Sequence, residues 1–484
     1  MNFQKLSYSI SNSSDRQPIK TIILSSFAIA YLALFLRFFS SAIFKGSLNQ
    51  WAFTDWLTNY TAGFVRRGLS GSLLLFMAQN FNLDAYLTVT IFVYAAYFAV
   101  SAFYLNKIIR LRQHIGIVSL ITLLFLPSLL FFPINDLGAL GRKEILFIFP
   151  LLLNLGFLDL QSNKLQKSDR NTLISKDRAT IDLALKQYCW NIFIWFNLLC
   201  IPIALIHESI VFLALPLNII ITANFLYLKL NFKQSVLGSL AIYIPTIIAI
   251  VAGFIWKGNP TVALNICQSW QNLNVLECGT EVPGALDAIG WSLHDGISLS
   301  WSIVKAERGI TFIQWLSIFS SNLVFILFAS SSLITNLLTK VAVDRNNLSK
   351  SSHRRKVFAS FSFKYAIVPM VFSAPLYAIG WDWGRWFFVV AIGYCFCSLT
   401  PNLIYLEAVN RETVREFEPL NRLFKTLCLL YSKILHSVFY TIRKCYWLYL
   451  IALTYMLSLV TLPHCCLVDS VFHQGLLNRI IALF

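Results

Sequence analysis

The chain has 484 residues, of which 57% are hydrophobic, 13% charged and 15% aromatic, against roughly 45–50% apolar and about 25% charged in a soluble domain. That balance excludes an ordinary soluble enzyme. Forty-one Phe and thirteen Trp exclude a disordered chain, and the weak turn rhythm argues against a transmembrane β-barrel. The net charge of +17 would suggest nucleic acid in a soluble protein; here its position along the chain carries the information.

A helix needs roughly 20 mainly apolar residues to cross the hydrocarbon layer. Eleven blocks qualify, at about 21–40, 86–106, 114–133, 144–160, 189–206, 209–228, 236–256, 311–329, 364–380, 386–406 and 445–462. The expected fold is therefore all-α: a polytopic integral membrane protein with about eleven transmembrane helices in a single domain, residues 21–462. The leader 1–20 lacks a small-residue cleavage site after the first block, so that block is expected to be retained. Residues 68–83, GLSGSLLLFMAQNFNL, are apolar but too short to span and are expected to form a re-entrant or interfacial helix.

Basic loops resist translocation. With a cytoplasmic N-terminus, the leader and the segments around 107–112, 164–186, 229–233, 340–364 and 411–444 lie inside and hold 28 of the 39 Lys and Arg and, counting Asp159 and Glu407, 10 of the 22 Asp and Glu. The whole positive excess then sits on one face. The cytoplasmic loops 161–187, 330–363 and 407–444 are expected to be solvated linkers and surface helices drawn to anionic lipid headgroups. Segments 41–85, 257–310 and the tail 463–484 fall outside.

On that outer side the rare polar residues collect. The first loop carries Asp55, Trp56, Asn59, Tyr60 and then GFVRRG with Arg66 and Arg67. Later come Asp136, the run GRKE with Arg142 and Lys143, the turn His207-Glu208, then His294 and Asp295, and the turn GWDWGRW with Trp381, Asp382, Trp383 and Arg385. Charged groups near the bilayer are costly and tend to be paired or functional. Arg66, Arg67, Arg142, Lys143 and Arg385 could hold a pyrophosphate and stabilise it as it leaves. His207, Glu208, Asp382 and Asp55 are candidates for the catalytic group that takes a proton from an attacking hydroxyl, and Trp56, Tyr60, Trp381 and Trp383 could stack on sugars. This describes glycosyl transfer from a lipid-linked pyrophosphate; no Gly-rich phosphate loop points to a nucleotide.

Ten Cys show no CxxC pair and no His/Cys cluster at zinc spacing, so neither a metal nor another cofactor is expected. Cys267 and Cys278 lie on the oxidising side at a separation that a disulfide can close.

The order GRKE (Gly141 to Glu144) at a span start, HES (His207, Glu208, Ser209) followed by an apolar run to Pro216, and the late DWGR turn (Asp382 to Arg385) resembles the Wzy-type and EpsG-like exopolysaccharide (O-antigen) polymerases. The resemblance covers about residues 140–390. It implies polymerisation of lipid-linked oligosaccharide repeat units at the outer face of the bacterial inner membrane, alongside flippase and chain-length regulator proteins, by metal-independent inverting chemistry. Arg142 then matches an outer-loop arginine, His207 the histidine at a helix start and Arg385 a further outer-face arginine. The segment DWLTNYTAGFVRRG, 55–68, has no counterpart there. Asp55 after one span, followed by an amphipathic segment, also resembles GT-C type glycosyltransferases, which would imply a polyprenyl-phosphate sugar and often a divalent metal. A lipid-linked glycan transporter is the non-catalytic alternative; its charges should lie along a mid-membrane path.

Overall fold

The computed structural model describes residues 17–135, 140–167, 178–279, 282–306, 308–342, 351–380, 382–412, 419–460 and 462. All regular secondary structure among the described residues is helical, with no strand among them. In chain order the α-helices of seven residues or more are α1 (Gln17–Lys45), α2 (Gln50–Trp56), α3 (Gly68–Phe81), α4 (Ala85–Leu111), α5 (Ile117–Phe125), α6 (Ile148–Lys167), α7 (Arg178–Asn191), α8 (Asn197–Ile206), α9 (Leu215–Leu226) and α10 (Phe232–Ile242). There follow α11 (Ile244–Ile255), α12 (Pro260–Gln271), α13 (Leu293–Ala306), α14 (Arg308–Ala342), α15 (Ser351–Ser362), α16 (Val368–Ile379), α17 (Trp383–Ser398), α18 (Pro401–Glu412), α19 (Pro419–Lys444) and α20 (Tyr446–Leu459).

Local chemistry sets the boundaries. Side chains of Asn49, Asp84 and Asn259 accept backbone hydrogen bonds at the starts of α2, α4 and α12, and Asn231 with Gln234 forms a reciprocal cap on α10. Single π-helical turns at Ile192–Phe196 and Phe363–Ile367 join α7 to α8 and α15 to α16.

Among the described residues, six helices are long and apolar enough to cross a membrane: 17–45, 85–114, 143–165, 179–206, 313–339 and 354–379. Two further pairs, α10 with α11 and α17 with α18, qualify together but bend by 62° and 77°. The remaining three of the eleven expected blocks do not make helices of spanning length. Block 114–133 yields only the nine residues of α5 before a buried irregular stretch; 209–228 is interrupted at Ala214 ahead of the twelve-residue α9; 445–462 gives the fourteen residues of α20.

The bundle's interior is mainly aliphatic and aromatic but carries a buried polar network. Asn154 donates to Asn218 Oδ1 (3.0 Å) and Tyr243 Oη (3.2 Å), Tyr188 donates to Asn154 (2.5 Å), and Thr222 bonds Tyr243 (2.7 Å). Segments expected inside meet one another at one end: Lys107 with Asp159 (3.0 Å), Asn402 with Asp159 (2.9 Å), Lys364 with buried Glu407 (2.8 Å), and Asn336 with the His114 carbonyl (2.8 Å). The first loop, the turn before α6, the α8 end and the α17 start gather separately.

Candidate functional site

The first loop is shaped to present two charges. α2 places Asp55 inward, 4% exposed, and Trp56 Nε1 donates to the Gly141 carbonyl (2.6 Å). Gly141 reaches that position with φ +110°, a region a side chain would strain. α3 then folds back so closely that its Gly71 amide donates to the Thr58 carbonyl (3.0 Å), and a methyl at Gly71 would overlap that oxygen. At the α3 start Arg67 sits at φ +65°, a left-handed conformation uncommon for a non-glycine residue; it turns the guanidinium toward the α8 end. A cap from the long loop closes over this arrangement: Arg66 N donates to the Trp256 carbonyl (2.9 Å), Trp270 Nε1 to the Leu57 carbonyl (2.7 Å) and the Ala285 amide to Thr54 Oγ1 (2.9 Å). Cys267 and Cys278 form a disulfide within this cap, Cα atoms 6.0 Å apart.

Charges from four loops interlock. Arg67 grips Glu208 through Nε to Oε2 (2.9 Å) and Nη2 to Oε1 (2.8 Å), and its Nη1 lies 3.4 Å from Asp55 Oδ1. Arg66 Nη1 is 3.8 Å from Glu208. Lys143, fully buried, donates to the Asp55 carbonyl (2.7 Å) and the Ile206 carbonyl (3.3 Å), with the Asp55 carboxylate 3.7 Å away. Arg385 Nη1 lies 2.8 Å from Glu144 Oε1, and its Nη2 bonds Asp382. His207 stands between two carboxylates, Nε2 3.6 Å from Glu144 Oε1 and Nδ1 3.8 Å from Glu208 Oε2. Arg142 is buried in the electrostatic field of Arg385, Asp382, Glu144 and Asp55.

The network fixes protonation states. Burial alone would raise the Glu208 and Asp55 carboxyls, but Arg67 for the first and Lys143 with Arg67 for the second outweigh it and hold both well below the carboxylate range. Burial, reinforced by Arg67, pushes His207 from 6.5 down to about 4, so the ring is neutral at pH 7.

All the charged residues singled out in the sequence's HES, GRKE and VRR runs and in the DWGR turn thus come together. The proposed pyrophosphate donors are not idle, however: Arg67 is forked onto Glu208 and Arg385 is shared by Glu144 and Asp382. Trp56 is buried against Phe92, with Lys143 5.5 Å from its ring, which makes it a wall of the site. Tyr60 stacks on Phe64, and Trp383 packs on Trp315 and Tyr377 while donating to the Gly380 carbonyl (2.8 Å). His294 and Asp295 stand apart and exposed at the start of α13. Asp136 and Trp381 lie outside the described residues. Nothing in the charge pattern singled out Glu144, yet it links His207 to Arg385; an acid beside two cations at the start of an apolar run, unneeded for anchoring, was the available signal.

No protein-family model matches the chain, and no curated protein or solved structure matches it. Length and hydropathy of its helices make it an all-helical, multi-pass membrane protein.

Proposed function

We propose that the protein transfers glycan from a polyprenyl-pyrophosphate carrier to an acceptor sugar, polymerising lipid-linked repeat units of a cell-surface polysaccharide at the outer face of a bacterial inner membrane. In this reading all eleven apolar blocks, bent and short ones included, cross or enter the bilayer from a cytoplasmic N-terminus. One observation carries it: Arg66, Arg67, Arg142, Lys143 and Arg385 converge from three loops on Asp55, Glu144, Glu208 and Asp382, leaving cations in excess by one among these side chains. Arg66 lies at the rim. Its Nε is shielded yet has no acceptor among the described residues, while its side chain is 23% exposed. A phosphate arriving there would satisfy that donor, and a second phosphate could then compete with Glu208 for Arg67, also at the rim with 25% exposure.

The test is binding of undecaprenyl diphosphate to the purified chain in nanodiscs, with polymer length on gels from cells carrying each variant. Arg66→Ala should weaken binding about tenfold or more, in line with loss of a charge-assisted hydrogen bond worth roughly 1.5–3 kcal/mol, and should shorten the polymer. Equal binding and equal polymer from both chains would defeat the proposal.

The position of Asp55, between α1 and α3 in a segment the polymerase resemblance does not cover, favours a second reading: GT-C type transfer from a polyprenyl monophosphate sugar. The divalent metal common in that chemistry does not fit these residues, because Asp55 is held by Lys143 and Arg67 and no group of three or more His, Cys, Asp or Glu among the described residues is placed to hold an ion. Tighter binding of undecaprenyl monophosphate than of the diphosphate would select this reading.

A further inference from the structure

Four carboxylates and one imidazole line the cluster, and their free lone pairs differ. Glu208 has both oxygens on the Arg67 guanidinium. Asp55 faces Arg67 with one oxygen and Lys143 with the other, and Asp382 holds Arg385. His207 Nδ1 accepts the backbone N–H of Ser209 (3.4 Å), with Ser209 Oγ 3.0 Å away. An amide can only donate, so in the neutral ring the proton resides on Nε2, which lies 3.6 Å from Glu144 Oε1. His207 is therefore arranged as a donor. Glu144 differs from all of these: Oε1 receives Arg385 and faces His207, while Oε2 is buried with no hydrogen-bond partner among the described residues. The residue is only 4% exposed. A buried carboxylate oxygen without a donor is costly and rarely left so without a role.

We propose that Glu144 Oε2 takes the proton of the acceptor hydroxyl, and that His207 is a positioning residue that fixes Glu144 through Oε1. The inference rests on the glycosyl-transfer reading. As the hydroxyl O–H bond breaks, its proton passes to Glu144 Oε2 and the oxygen forms the new bond to the anomeric carbon. The bond from that carbon to the carrier's phosphate oxygen breaks at the same time, its electron pair leaving on the diphosphate. The proton then goes to water. Arg385 couples the two halves of the site: it neutralises Glu144 at rest, and an incoming diphosphate competes for it, freeing the carboxylate when the donor is in place. Asp55, Arg67, Arg142, Lys143, Glu208 and Asp382 complete the charges around the pair.

Membranes carrying the full chain or a variant, using the cell's own lipid-linked glycan, are followed for product formation between about pH 3 and 9, with undecaprenyl diphosphate binding measured in parallel. Glu144→Gln should lower the rate by about a hundredfold or more while diphosphate binding is kept or tightened, since Arg385 loses the carboxylate that neutralises it at rest. Glu144→Asp should restore at least about a tenth of the native rate and shift the acid limb of the profile. His207→Gln should slow the reaction about tenfold and keep that limb. The proposal is overturned by a Glu144→Gln rate near native, by Asp and Gln variants that bind diphosphate and are equally slow, or by an acid limb that vanishes with His207→Gln and persists in Glu144→Gln. Should the Gln variant lose binding, the Asp variant decides by the same criterion. A native chain that neither binds diphosphate nor forms product refutes the glycosyl-transfer reading itself, and the Glu144 assignment with it; an active, diphosphate-binding Glu144→Gln refutes only the assignment.

Discussion

His207 closes α8 with an extended backbone, its amide on the Ile203 carbonyl (2.8 Å), and its ring packs edge-on to Phe147. Glu144, Glu208, Asp55 and Arg67 surround it. Three acids would normally raise a histidine's proton affinity; burial and the Arg67 charge outweigh them and bring it to about 4. Between roughly pH 6.5 and 4 the unfolded chain therefore binds a proton that the folded one refuses, so stability falls as pH drops through that window and is unaffected above about pH 7. The shift corresponds to about 3 kcal/mol over the whole window. Thermal unfolding in detergent should show the midpoint falling between pH 6.5 and 4, and His207→Gln should flatten that slope. Asp55 and Glu208 act with the same sign at lower pH, since their depressed carboxyls stabilise the fold above the ordinary carboxylate range and lose that contribution on protonation. An unchanged slope in His207→Gln would show that the imidazole titrates normally.

At the scale of elements, the cap over the site depends on α12, which buries Ala263, Ile266, Cys267 and Trp270 along one face, a spacing of three and four residues that fits a helix seated on one side. The Cys267–Cys278 bridge ties the chain after α12 back onto that face. Closing a loop of this length contributes about 3 kcal/mol in the chain-entropy estimate. Cys278→Ser should lower the unfolding midpoint without loss of helix by circular dichroism, and a reductant should bring the native chain to the same midpoint. Much of the helical architecture was legible from apolar length, since eight of the eleven blocks fall in helices or bent helix pairs long enough to span. The breaks were not, because an average over twenty residues hides a proline. Pro127 and Pro133 flank the irregular stretch after α5, Pro216 and Pro245 stand just inside α9 and α11, and Pro401 opens α18 beyond the 77° bend. Proline lacks the N–H that would continue the helix, and irregular backbone is tolerated in a bilayer only when protein covers it, as the buried Leu126 to Phe132 stretch is. The charged cluster was legible because charges in an apolar chain are few; its internal pairing was not, since which carboxylate meets which guanidinium depends on the left-handed turn at Arg67 and on the Gly141 kink.

The whole molecule has two charged clusters joined by spanning helices that carry little charge, and the orientation of those clusters decides whether the site can meet a lipid-linked glycan outside the cell. The end bearing Lys107, Asp159, Lys364 and Glu407 belongs to the segments that hold most of the Lys and Arg, including α19, where Leu435 and Phe439 pack inward and Lys433 and Lys444 face out. Basic segments stay on the cytoplasmic side, and the exposed Leu427, Leu430 and Ile434 of α19 suit a helix lying in the headgroup layer. The Arg66–Glu208 end carries almost balanced charge, as a translocated surface should. A membrane-impermeant maleimide applied to intact cells should therefore label His294→Cys, at an exposed position beside the site's cap, above the background of the native chain. It should reach Lys433→Cys only after permeabilisation. The reverse pattern would put the charged cluster in the cytoplasm, where the same arginines would face soluble phosphates and an outer-face polymerase could not operate.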